Sequence, residues 1–236
     1  MSPNLLTGFQ HIDFLSLSPQ LLYSGRRDTK YILHYIDWED IIGSLKDAYS
    51  LVMHHGMESQ TYSTIYYDTH DLSFYFAHHN GHGNRIKMRT RRYSDGNSFF
   101  EIKQKTNRGI TLKERYSAPI DHIGGMVQQL EVVYDRITMY DKNFEEKLTF
   151  DFNLLFRTKE SELEFNSIVI AESKKNKLTH SKFKDELKSR KIKSSSISKY
   201  CIGLASIKPE LKQNNFKKIL SAINKLKNKY EIPTSV

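Results

Sequence analysis

From residue 84 to 117 polar and apolar positions alternate with a period of two, the pattern of strands that bury one face. Asp95-Gly96 in "SDGNS" and Asn107 with Gly109 in "TNRGI" interrupt the run with hairpin chemistry. The run therefore predicts three antiparallel strands over about 84–93, 98–105 and 110–117. Upstream, "RRDTKYIL" (26–33), "TYSTIYYD" (61–68) and "LSFYFAHH" (72–79) also read as strands. Between the first two, Ile41, Ile42, Leu45, Ala48, Tyr49 and Val52 recur on one stripe. That spacing predicts a helix with Asp37 as its N-cap and Asp40 in its first turn. Downstream, residues 121–140 read as mainly helical, and "KLTFDFNLLF" (147–156) and "FNSIVIAESK" (165–174) as two further strands. Lys-rich segments 177–191 and 209–229 carry helical spacing of Leu, Ile and Phe, and "SSSISKYCIGLA" between them opens a helix on a Ser cap. Residues 1–24 are mixed and predict irregular packing. The chain shows no internal repeat, and its elements describe an α+β fold built on an antiparallel sheet.

Charge changes the picture of that sheet. Arg85, Lys87, Arg89 and Arg91 share one face of the first strand, Glu101, Lys103 and Lys105 one face of the second, and Thr111, Lys113 and Arg115 one face of the third. The opposite faces carry Ile86 and Met88, Phe100 and Ile102, and Ile110 and Leu112, rows expected to pack under helices. A solvated face usually mixes charge signs, because like charges directly opposite one another destabilise a sheet. A face almost wholly of one sign, kept over three strands with Glu101 as its one carboxylate, implies an anion of high charge density rather than an ordinary solvated face. Arg forks and Lys point charges are natural ligands of phosphoryl oxygens. Carboxylates among them, Glu101 and Glu172, suggest either a divalent cation, Mg2+ or Mn2+, held by one or two carboxylates plus substrate oxygens, or simple neutralisation of the neighbouring cations.

Composition narrows the partners. The net charge is +9 over 236 residues and the hydrophobic fraction 38%, so the chain is globular and suited to a polyanion. A mean hydropathy of −0.59 and the lack of a long apolar run exclude a membrane-spanning helix. The start "MSPNLLTGFQ" lacks the pattern of a signal peptide. Cys201 is the single cysteine, so an intramolecular disulfide and a cysteine-based zinc site are both excluded, which suits a reducing cytoplasm. Cys201 is expected to fill a small buried apolar site. His54 and His55, and His78, His79 and His82, lack zinc-like spacing and are expected at solvent-exposed loop ends. Phe99, Phe100 and Tyr93 could stack bases, but no RNA-binding signature accompanies them and specific nucleic acid is not expected.

The segments "RRDTKYIL", "STIYYDT", "RIKMRTRRY", "FFEIKQK", "TLKERY", "LTFDFNL", "IVIAESK" and "SISKYCIG" occur in this order. Together they resemble the VTC domain, the polyphosphate polymerase branch of the triphosphate tunnel metalloenzyme (CYTH-like) superfamily, over about residues 26–205. The resemblance implies an antiparallel β-barrel tunnel of about eight strands with flanking and C-terminal helices. It divides the chain into an N-terminal extension (1–25), the tunnel domain (26–205) and a basic C-terminal helix (206–236). It implies a metal-dependent phosphotransferase that passes the γ-phosphoryl of ATP to a growing polyphosphate chain. Lys30, Arg89, Arg91, Lys103, Lys113, Arg115 and Lys199 are the implied catalytic cations. Arg26, Tyr31, Lys87, Lys147, Lys174 and Ser198 are the implied substrate contacts, and Glu172, Glu101 and Asp28 the implied ligands of Mn2+ or Mg2+. Asp28 stands where the family has Glu, and Lys147 where it has Arg, exchanging a bidentate fork for a point charge. The implied partners are ATP, inorganic polyphosphate, pyrophosphate or triphosphate, and a membrane protein that exports the polymer, which would set the chain at the inner face of a membrane. Hydrolysis of triphosphate or a nucleotide on the same fold is one alternative, and binding of polyphosphate or inositol phosphate without catalysis is another. Phe216, Ile219, Leu220, Ile223 and Leu226 form one stripe of the last helix, expected to pack on the tunnel, with anionic lipid as the competing partner.

Overall fold

The computed structural model describes residues 4–17, 27–117, 123–175 and 180–230. Among the described residues eleven strands join one sheet. They are β1 (Gln10–Asp13), β2 (Arg27–His34), β3 (Tyr49–Met53), β4 (Gln60–Asp68), β5 (Arg85–Tyr93), β6 (Ser98–Lys105), β7 (Thr111–Ser117), β8 (Val127–Asp141), β9 (Glu146–Arg157), β10 (Glu162–Phe165) and β11 (Ile168–Lys175). The helices are α1 (Tyr35–Ser44), α2 (Ser73–His79), α3 (Lys182–Ser189), α4 (Lys199–Ile207) and α5 (Lys217–Lys227). The principal path runs β2-β11-β9-β8-β4-β5-β6-β7, with β3 beside β8 and β10 beside β9. Its ladders are antiparallel; among the described residues β1 alone runs parallel to its neighbour, β3. Among the described residues no ladder joins β7 to β2, so the sheet is a curled, incompletely closed wall. The curl brings the two ends of the path within electrostatic reach, since Lys103 of β6 feels the charges of Asp28 and Lys30 on β2.

Two cores follow from the alternation of side chains across the strands. On the outer face, Trp38, Ile41 and Ile42 of α1 and Phe183 and Leu187 of α3 join Leu148, Phe150, Val169 and Ala171. On the inner face, Tyr200, Cys201, Ile202 and Leu204 of α4 join Leu130, Val132, Phe156 and Ile170, with Phe216 and Ile223 packing behind. Glycine at position 203 lets the α4 backbone approach closely: a Cβ there would run into the Phe156 ring and come within 2.9 Å of Leu130. The inner surface is therefore apolar where α4 fills the curl, and polar beyond it.

Several sequence expectations are corrected by tertiary context. Residues 72–79 form α2 rather than a strand, because the Asp68 carboxylate accepts from the N–H groups of Phe74 (2.8 Å) and Tyr75 (2.9 Å) at the helix start. Tyr75 and His79, four apart, become its buried pair. Residues 127–141 form β8 rather than a helix, laddered to β4 on one side and β9 on the other. The stripe from Ile41 to Val52 is shared by a helix that ends at Ser44 and by β3. The cap of α1 is His34, whose Nδ1 accepts from the N–H of Ile36 at 3.1 Å, while Asp37 lies within the first turn. Ile110 and Leu112 are 54% and 52% exposed, not packed under a helix. His79 is buried and accepts from the N–H of Asn215 at 3.2 Å, so it is a joint between α2 and the C-terminal segment rather than a loop end.

Candidate functional site

Strands β5, β6 and β7, at one end of the sheet path, keep the faces that their periodicity predicts. The register sets Lys87 opposite Lys103, and Lys103 opposite Lys113, giving a lysine row across β5, β6 and β7. One step along the strands, Arg89 faces Glu101 and Glu101 faces Arg115. Glu101 binds Arg89 Nε at 2.6 Å and Arg115 Nη2 at 2.5 Å, with Arg91 Nη1 at 3.8 Å. Burial raises the Glu101 carboxyl pKa, but Arg89, Arg91 and Arg115 outweigh it and hold it at about 2. Three guanidinium groups thus share one carboxylate and keep an excess of positive charge.

The opposite wall comes from β2, β11, β9 and β8. Glu172 on β11 faces Lys30 on β2 and Thr149 on β9, and its Oε1 takes Lys30 Nζ at 2.6 Å and Lys174 Nζ at 3.1 Å. Asp28 meets Lys174 Nζ at 2.9 Å. Burial opposes ionisation of Glu172, yet Lys30 and Lys174 hold its carboxyl well below the usual range. Lys147 lies opposite Lys174 in the ladder, with its ammonium 5.5 Å from the Tyr140 ring centre. Next along β9, buried Asp151 receives Arg136 Nε at 2.5 Å and Nη2 at 2.7 Å, and also pairs with Lys199 at the start of α4. Ser198 caps that helix and accepts from Lys87 Nζ at 3.2 Å, tying the plug to the lysine row. Burial pushes the Lys87 amine down to about 8, with Lys103, Arg89 and Lys30 adding to the shift against the opposing influence of Cys201.

Lys30, Lys87, Arg89, Arg91, Lys103, Lys113, Arg115, Lys147, Lys174, Ser198 and Lys199 accordingly stand on the curled inner surface or at its helix plug. Tyr31 does not: it points the other way, into the outer core, where its ring meets Phe183 edge-on. Arg26 lies outside the described residues. Arg136 and Asp151 complete the site without having been singled out as site residues. Alternation along β9 puts Asp151 on the face of Lys147, a signal present in the sequence, whereas reading residues 121–140 as helical hid Arg136. Alternation of Tyr134, Arg136, Thr138 and Tyr140 was the signal available.

Three buried polar atoms along this surface find no hydrogen-bond partner among the described residues: Arg91 Nε, Thr64 Oγ1 and Thr149 Oγ1. Thr64 is register-paired with Arg91, and Thr149 with Glu172. A buried donor left unpaired costs about 1–3 kcal/mol, so these atoms mark places where a ligand oxygen would be welcome. No group of three His, Cys, Asp or Glu side chains converges on one point among the described residues. A hard divalent cation would therefore take only one or two carboxylate oxygens here and draw its other ligands from substrate and water. Glu172, ionised and beside Thr149, fits that role, with Asp28 bridged to it through Lys174.

No curated protein matches this chain. A solved structure of a Hippeastrum protein, described as a candidate adenylyl cyclase with a dominant triphosphatase activity, is similar at 13% identity and a TM-score of 0.46, covering 77% of this chain and 96% of that one. The family model of the VTC domain matches residues 25–131, the stretch from the start of β2 into β8 that carries Lys30, the lysine row and the arginine cluster around Glu101.

Proposed function

We propose that the protein is a polyphosphate polymerase that transfers the γ-phosphoryl group of ATP to the end of an inorganic polyphosphate chain. The observation that carries this reading is the row Lys87–Lys103–Lys113, three lysines register-opposed on adjacent strands. Such a row is unfavourable without a counter-charge between its members, and a linear polyanion supplies one phosphate after another. The arginines around Glu101 extend the row, and the unpaired Arg91 Nε offers a further donor.

In the proposed reaction a terminal phosphate oxygen of the chain, ionised at neutral pH, attacks the γ-phosphorus. The bond from that phosphorus to the β–γ bridging oxygen breaks, and ADP leaves with the electron pair. Phosphoryl transfer of this kind asks a protein for alignment and charge stabilisation more than for covalent chemistry. Lys30, Lys87, Lys103 and Lys113 would hold successive phosphates in line, Arg89, Arg91 and Arg115 would neutralise the reacting group, and Lys199 would close the site at the plug. Glu172, with Asp28 behind it, would hold Mn2+ or Mg2+, which when bound supplies further neutralisation of phosphoryl oxygens. Glu101 is assigned to the arginines rather than to metal, because its two oxygens are taken by Arg89 and Arg115. The test incubates purified protein with ATP and Mn2+ and resolves products on a gel. Long polymer is expected, lost in Arg89→Ala and Lys199→Ala. Orthophosphate as the sole product would make the protein a hydrolase, and unchanged polymer in both variants would remove these residues from the mechanism.

A further inference from the structure

The inner surface carries a feature that phosphate binding leaves unused. Phe99, Tyr93, Tyr62 and Tyr134 stand on four neighbouring strands, β6, β5, β4 and β8, with successive ring centres 6.0, 4.9 and 5.2 Å apart. Cations lie over this ribbon: Arg115 is 4.9 Å from the centre of Phe99, Arg91 5.4 Å and Arg136 4.9 Å from that of Tyr62. Tyr62 and Tyr134 are buried and stack within 8° of parallel, so they are core. Tyr93 and Phe99 are half-buried and sit where β5 and β6 approach their hairpin. Phe99 faces Arg91 in the ladder and belongs to neither hydrophobic core.

A polyphosphate has no use for an aromatic face, whereas a nucleobase does. Phe99 and Lys103 are four residues apart on one face of β6, about 13 Å at ~3.3 Å per residue. That length accommodates a base, a sugar and phosphates laid along the strand. We propose that Phe99, walled by Tyr93, is the stacking subsite for the nucleobase of a nucleoside triphosphate donor. Arg115, which both covers Phe99 and binds Glu101, connects the ring to the phosphate row. This rests on the reading that the row takes a triphosphate. The competing role, a cross-strand aromatic pair that only stiffens the hairpin, predicts no discrimination between ligands.

Calorimetric titration of the full chain in Mg2+ with ATP and with inorganic tripolyphosphate separates the two. Phe99→Ala is expected to weaken ATP binding roughly tenfold while leaving tripolyphosphate within about twofold, and Phe99→Trp to retain ATP. Equal losses for both ligands, or tripolyphosphate binding with unaltered ATP affinity in Phe99→Ala, would overturn the subsite alone. Failure of the unsubstituted protein to bind either ligand would overturn the subsite and the triphosphate reading together.

Discussion

Replacing Glu101 by Gln keeps the shape of the side chain and removes the one charge shared by Arg89, Arg91 and Arg115. The Glu101 side chain is only 12% exposed, so solvent screens these pairs weakly. Its carboxyl falls from 4.5 to about 2 in the folded chain, which at 1.36 kcal/mol per unit is about 3 kcal/mol of stability. Because the folded value lies below the unfolded one, that contribution is complete above about pH 5 and disappears as pH falls toward 2. Urea unfolding of both proteins should therefore show Glu101→Gln less stable by about 3 kcal/mol at pH 7 and by about 1.4 kcal/mol at pH 3. Other depressed carboxylates, Asp151 and Glu172 among them, titrate in both proteins and cancel in the difference. Tripolyphosphate, taking the place of the lost charge, should narrow the gap at pH 7. Equal stability at pH 7, or a gap that does not change between pH 7 and 3, would refute the account of Glu101 as the counter-charge of three guanidinium groups.

Other consequences are checked with simpler measurements. Burial holds the Lys87 amine at about 8, so it loses its proton while exposed lysines keep theirs; tripolyphosphate affinity should fall as pH rises past about 8, and Lys87→Met should flatten that decline in calorimetry. Gly203→Ala should lower stability by about 1–3 kcal/mol in a thermal or urea unfolding scan, because its methyl group must displace the buried Phe156 ring. Glu146→Ala should destabilise by at least about 2 kcal/mol, since it strands the buried hydroxyls of Tyr49, Ser173 and Ser181 that donate to this carboxylate.

The segments read correctly are those whose signal is local. Between 84 and 117 the period of two and two turns with Gly placed every strand, and the same period assigned Arg89, Lys103 and Arg115 to one face before any partner strand was known. A Ser cap within "SSSISKYCIGLA" was likewise legible, because a helix start is written in a few consecutive residues, and the structure puts it at Ser198. Reading failed where a distant group chooses between two local options. Residues 72–79 are aromatic enough for a strand, and it is Asp68 that supplies the donors of a helix start with an acceptor. Residues 127–141 satisfy a strand only because β4 and β9 flank them, and with that ladder came Arg136.

Periodicity along a chain fixes which side chains share a face, because alternation is a property of one strand's backbone. It cannot fix which faces meet. Sequence alone thus determined a strand ribbon with one cationic side and a helix opening on a Ser cap within "SSSISKYCIGLA". The placing of Lys103 within the electrostatic reach of Lys30 and Asp28, the insertion of Lys199 beside Asp151 and Arg136, and the filling of the apolar half of the curl by α4 are products of long-range pairing. Each depends on strand order and curvature, quantities set by the packing of the whole sheet between its two cores.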